Sequence, residues 1–352
     1  MKITQIIGTL TIWCQQKLRL GIKFTFFSLF AIALFLTLIT NACSFEQNQS
    51  LQPLRVGITS WVGFDIVRYA QPSGIFKQRG LEVELVQFDN QQDSSRAVIR
   101  GGLDAAFVSF WDAMQVDPGN DRPVVLLTTN ISAGADGIVA QPAIKSVADL
   151  RGKQVGAKLG TVNHLILLEA LKAHQIKPAD VKILDYSNEV AAEKIKTGAI
   201  DAAVLWEPML GETAKNIKGN ILHTTKQVDS LVIDILMSSD STVKAKKAAL
   251  KQFLLAWFDV MQAVETQATK VFNTVGEQLA QNSESFATDY AGLKKGDMTL
   301  NQRMFAADGR LNSAKAEILQ LLQADPRHGR VIRQDVEINT ALVNEAIAGW
   351  KS

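Results

Sequence analysis

Thr197–Leu210 reads TGAIDAAVLWEPML, and its interpretation decides the fold. Gly198 and Asp201 mark a turn, and Ala202–Leu205 is a continuous run of small apolar residues. Such a run suits a parallel strand covered on both faces. Trp206-Glu207-Pro208 follows, with Pro208 suited to the opening of a helix. An aromatic ring and a carboxylate therefore fall at the carboxyl end of a strand, the edge on which open α/β sheets hold ligands. The pattern occurs twice: Gly101–Asp112, GGLDAAFVSFWD, aligns with it at an offset of 97 residues, pairing Asp104 with Asp201 and one Ala-Ala pair with the other. A strand-end unit used twice implies two similar α/β lobes around a shared cleft.

The 352 residues suffice for two lobes, and 47% hydrophobic with 20% charged residues is globular composition. Net charge is +2, but Lys2, Lys17, Arg19 and Lys23 all precede residue 43 with no acid among them. Removing those four from the 37 basic residues leaves 33 against 35 acidic, a near-neutral body without a long basic run. That excludes nucleic acid as a partner; KAKK at Lys244–Lys247 reads as a solvated helix face. Cys14 and Cys43 are the only cysteines, too few for a disulfide framework or a cysteine metal site. His164, His174, His223 and His328 lack metal-ligand spacing, and no cofactor is expected.

Phe24–Thr40 is an apolar or hydroxyl run behind a basic flank, and Asn41-Ala42-Cys43 follows. This is the pattern of a secretory signal over residues 1–42. Ala42-Cys43 resembles a bacterial lipoprotein box, which would make Cys43 the lipidated N-terminus; an uncleaved membrane anchor is the alternative. Either places the body on the outer face of the cytoplasmic membrane, in the periplasm or outside the cell. Residues 43–53 are polar and read as a tether. Strands are expected at Leu54–Thr59, Leu81–Phe88, Ala105–Ser109, Val124–Thr129, Gln154–Lys158, Lys182–Tyr186, Ala202–Leu205 and Ile221–Thr224. Gly137–Ala140 should cross into the second lobe and Leu231–Met237 back, so that 54–136 and 235–352 form lobe one and 137–234 lobe two. From Ser241 onward the pattern is helical.

W-x-G at Trp61–Gly63, GIFKQRGLEVELVQF at Gly74–Phe88, SVADLRGKQVGAKLGT at Ser146–Thr161 and the DAAVLWEP stretch together resemble the solute-binding proteins of ATP-driven importers, of the nitrate/sulfonate/taurine type. The resemblance spans roughly residues 54–257. It implies a two-lobed periplasmic-binding-protein fold of type II, hinged on two crossing strands and closing on one small solute. It further implies permease and ATPase subunits as partners, a monomer tethered by its lipid, and no catalysis. An enzyme on this fold is the rival, but the schemes known for it use a cysteine, and none follows Cys43. A sensing module of a receptor is a third reading, without a second domain to receive the signal.

Candidate ligand residues are Trp61, Asp65, Trp111, Asp112, Asp136, Thr161, Trp206, Glu207 and Asp234. Singly, each acid fits a turn or cap, and Glu207 fits its own helix dipole. Asp234 between Ile233 and Ile235 is unusual for a strand interior. Thr161, after Gly160, fits both a helix cap and an anion contact. Collectively, five acids with three tryptophans suit a cation, with guanidinium as the best match, whereas nitrate, taurine or an alkanesulfonate is the alternative from the family.

Overall fold

The computed structural model describes residues 52–351 apart from 118, 120 and 229. The first sheet contains β1 (Gln52–Ile58), β2 (Leu81–Gln87), β3 (Ala105–Ser109) and β4 (Pro123–Ser132). The second contains β5 (Asp136–Ala140), β6 (Gln154–Gly156), β7 (Lys182–Leu184), β8 (Ala202–Trp206) and β9 (Asn220–Thr224). The chain then returns to the first sheet through β10 (Ile233–Ser239), β11 (Leu293–Lys295) and β12 (Glu337–Ile338). The order in the first is β11-β4-β10-β3-β1-β2, with β12 also on β4; in the second it is β7-β6-β8-β5-β9.

The two orders share a plan. In each sheet the first strand of a parallel trio lies between the second and third, and beyond the third comes one antiparallel strand. That strand is β10 in the first sheet and β5 in the second. β3 and β8 are the strands of the repeated motif, and their full burial explains the small apolar run in each. The chain passes between the sheets at Ala133–Ala135 and again between Thr224 and Ile233.

Helices cover both sheets. Asp240–Thr266 packs along β1, β2, β4 and β10, burying Phe253, Trp257 and Phe258, and Thr340–Gly349 packs beside it on β4. Val162–Ala173 lies against β5 and β8. Its apolar residues join those of the first lobe in one core, while Val139, Leu205 and Leu210 anchor a smaller core on the opposite face of the second sheet.

Several boundaries differ from expectation. Gln52 and Pro53, read as tether, are in β1 and pair with Leu81 and Glu82; they are exposed, so no hydrophobic signal marked them. Gly137–Ala140, expected to cross, lies within β5 of the second sheet together with Asp136. β10, two residues later than Leu231–Met237, puts Asp234 in the first sheet, so these two acids exchange the lobes expected for them. β11 and β12 interrupt the C-terminal region expected to be helical. Both are held by pairing to β4, a tertiary preference that a run of two or three residues cannot announce. The signal segment and Cys43 lie outside the described residues. Among the described residues no helix is long and apolar enough to cross a membrane.

Candidate functional site

The carboxyl ends of β1, β2 and β3 face those of β6, β7 and β8 across a cleft of about 790 Å³. Lobe one lines it with Thr59, Trp61, the turn Gln87–Gln92, Asp112 and Asp234. Lobe two supplies Asp136, Lys158, Thr161, the Ser187–Glu189 turn, Trp206 and Met209.

Trp61 is aimed by its glycine. A Cβ on Gly63 would stand 2.3 Å from Asn130 Nδ2 and 2.7 Å from Trp61 Nε1, so only glycine lets these side chains close over the turn. Trp61 Nε1 then donates to Asp234 Oδ2 at 2.7 Å. Asp234 sits on β10 opposite Ser109 of β3 and Asn130 of β4. It is 2% exposed, and burial, reinforced by the charges of Asp136 and Asp112, pushes its carboxyl well above the usual range.

Asp112 and Asp136 complete a group of three buried acids. Ser109 Oγ donates to Asp112 Oδ2 at 2.7 Å, while Oδ1 is buried without a hydrogen-bond partner. Burial raises Asp112 to about 6, against the opposing pull of Ser109, of the Arg330 charge and, least, of the Gln92 amide close to the carboxyl. Asp136 begins β5 opposite Trp206 of β8, and its Oδ2 is likewise buried and unpartnered. Burial raises it to about 7, with Ser132 opposing and Glu207 adding slightly. A buried acceptor without a donor costs about 1–3 kcal/mol, and here two such atoms belong to residues that line one cleft.

Lobe two fixes its aromatic side by backbone contacts. Asn188 Oδ1 accepts from Trp206 N at 3.2 Å, and Asn163 Nδ2 donates to Val204 O at 2.6 Å. Thr161 stands at the N-cap of Val162–Ala173 but makes no side-chain capping bond; its Oγ1 donates to Lys158 O at 2.8 Å. Lys158, the one basic lining residue among those described, is ion-paired with Asp185 at 3.1 Å. The remaining charged lining is acidic, and among the described residues no cluster of His, Cys, Asp and Glu is placed to hold a metal ion.

The structure therefore brings together Trp61, Asp112, Asp136, Thr161, Trp206 and Asp234, and sets three expected residues apart. Asp65 turns away from the cleft to pair with Arg68 at 2.7 Å, and Arg68 also donates to Gln87 Oε1 at 2.6 Å. Trp111 is 1% exposed and packs edge-on against His164 at 6.4 Å, within the core. Glu207 accepts from Gly211 N at 2.9 Å, so its carboxylate serves the start of helix Met209–Ile217. Gln91, Asn188 and Met209 were missed. Gln91 sits at the start of a helix, where its Oε1 accepts from Ser109 N at 2.6 Å, a role that amide side chains do not advertise in sequence.

Two α/β lobes of matching strand order, facing each other at their carboxyl edges, define the periplasmic-binding-protein fold. The chain belongs to the NMT1/THI5-like family, whose model matches residues 63–265. It is similar to a putative binding protein of Brucella abortus, 28% identical over 170 residues. That match covers 48% of this chain and 52% of the relative, so the chain spans about half the length of that protein. It is also similar to the taurine-binding periplasmic protein of Escherichia coli K12, 23% identical over 77% of this chain and 87% of that one. The periplasmic aliphatic sulphonate binding protein of Escherichia coli shares the fold, with a TM-score of 0.64 at 17% identity over 84% of this chain and 99% of that one.

Proposed function

We propose that the protein is the solute-binding component of an ATP-driven importer and that its solute is a small cation rich in N–H donors, with guanidinium as the reference compound. The carrying observation is the pair of buried, unpartnered carboxyl oxygens, Asp112 Oδ1 and Asp136 Oδ2, set in lobes that face each other. A planar N–H fork supplies what those oxygens lack. Trp61 and Trp206 offer indole faces, worth ~0.5–2 kcal/mol each to a cation. Closure of the lobes would then exclude water from the carboxylate pairs and favour the form that docks on a permease. The binding role is supported by the family and by the E. coli relatives. A lipid anchor at Cys43 is supported by the Phe24–Thr40 run and Ala42-Cys43.

The second reading takes its ligand from the taurine-binding relative. An anion or sulfonate would meet the backbone at Gly160-Thr161, with Lys158 nearby. Arg330, beside Gly160 and acting by its charge on Asp112, favours this reading. Against it, Lys158 is already engaged by Asp185, and above the raised pKa values of Asp112 and Asp136 an anion beside their carboxylates bears an uncompensated desolvation cost. Titration calorimetry with guanidinium, taurine and nitrate, in a buffer free of amines and sulfonates, separates these readings. The cation reading expects guanidinium binding that strengthens from pH 5.5 to 8, as Asp112 and Asp136 lose their protons. Tight nitrate or taurine binding with no response to guanidinium would overturn it.

A further inference from the structure

The chain crosses between the lobes twice, and the structure contains a third connection that is not covalent. Helix Arg310–Ala324 follows Met298–Met304, which is packed on β4 of lobe one. Downstream, Arg333 donates from its backbone to Met114 O at 2.7 Å and from its guanidinium to Asp121 O at 3.0 Å, and β12 joins β4. Both ends of this segment are thus fastened to lobe one. Its middle lies on lobe two, against helix Val162–Ala173.

At the crown of this arch, His164 Nε2 meets Asp325 Oδ2 at 3.0 Å; both side chains are almost fully buried, at 0% and 3% exposure. Gly160 N donates to His164 Nδ1 at 3.3 Å, which makes Nδ1 the acceptor and leaves Nε2–H to donate to Asp325. Arg327 grips the same carboxylate, Nε to Oδ1 at 2.7 Å and Nη2 to Oδ2 at 2.6 Å, and donates onward to Pro178 O of lobe two at 3.3 Å. Burial alone would raise Asp325, but the Arg327 fork, the Arg327 backbone N–H and His164 together outweigh it and hold the carboxyl below its ordinary value. Burial also keeps His164 below its ordinary value, in the neutral form this bond pattern requires. Gly160 O in turn accepts from Gln115 Nε2 of lobe one at 3.2 Å. Gly160 has φ +72°, a conformation that favours glycine, and a Cβ there would lie a tight 3.1 Å from Arg330 Nε of the arch.

We propose that His164 and Asp325 are positioning residues: their bond fastens the C-terminal arch to lobe two and, through Gly160, sets the Gly160-Thr161 turn at the cleft wall. The cleft's role in this rests on its reading as the solute site; the fastening does not. The arch adds a restraint on lobe opening beyond the two chain crossings, acting on the side of the cleft where Thr161 stands.

The test uses the full chain with label sites at Glu82→Cys and Lys194→Cys, one exposed position in each lobe, and serine at Cys14 and Cys43. Interlobe distances are measured without ligand by pulsed spin-label spectroscopy, so that an error in the solute assignment leaves the readout untouched. Asp325→Ala and His164→Asn should lengthen and broaden the distribution, because both cut the bond to the arch. His164→Gln, whose amide reaches Asp325 in place of Nε2, should retain the parent distribution. Amide exchange at Gly160 should show the converse: accelerated about tenfold in His164→Gln, which lacks an acceptor at the Nδ1 position, and slow in His164→Asn. Near-ultraviolet circular dichroism identifies variants that have not folded, and the Asn/Gln pair carries the test if Asp325→Ala is among them. Unchanged distances in folded His164→Asn, or identical behaviour of the Asn and Gln variants, would overturn the proposal.

Discussion

Asp136→Asn is the most informative single change. In the unfolded chain this carboxyl titrates near 3.8, and in the fold burial lifts it to about 7. Between those values the folded protein holds a proton that the unfolded chain has released. Stability in the ligand-free state therefore falls as pH rises through that interval, and the loss is complete above the folded value. A gap of about three pH units corresponds to ~4 kcal/mol at pH 8. Asparagine keeps the shape and removes the charge, so the variant should be more stable than the parent by ~2–4 kcal/mol at pH 8 and no more stable at pH 4, where both side chains are neutral. Urea denaturation followed by tryptophan fluorescence at the two pH values measures the difference, and taking parent and variant together cancels the titrating groups not coupled to Asp136, as Asp234 is. The same variant should lose guanidinium affinity at pH 8. Parallel stability–pH curves for parent and variant, or a variant weaker at pH 8, would refute the idea that a buried carboxylate is held at a cost for the ligand.

Other changes test other parts of the cleft. Trp61→Phe removes the donor to Asp234 Oδ2 while keeping an aromatic ring; guanidinium affinity should drop by about tenfold in calorimetry, the scale of one hydrogen bond to a charged group. Gly63→Ala should lower thermal stability by ~1–3 kcal/mol, since its Cβ would collide with Asn130 and Trp61; a melting temperature equal to the parent's would contradict the packing described. Glu207→Gln should leave ligand affinity within about threefold, because the carboxylate bonds to Gly211 N rather than facing the cleft. A large affinity loss there would return Glu207 to the site.

Much of the architecture was legible in the chain because strand burial leaves a direct compositional trace. The Ala-Ala runs of β3 and β8 are small and apolar because both faces are covered, and their 97-residue spacing announced two lobes of similar design. Asp112, Asp136 and Asp234 could be named as candidates because strand ends and strand interiors seldom carry acids without a reason. What the acids do was decided by direction and neighbourhood. Asp65 and Glu207 carry the same carboxylate as the cleft acids, yet Arg68 and the Gly211 amide capture them locally. Trp111 follows β3 by two residues and Trp206 ends the equivalent β8, but the helix bearing His164 packs against Trp111 while Trp206 lines the cleft. The short strands β11 and β12, and the bond from His164 to Asp325 across 161 positions, depend on which distant segments meet. Local pattern reflects how much of a residue is covered; only the tertiary structure determines by what, and that choice separates a cleft-lining carboxylate from a helix cap.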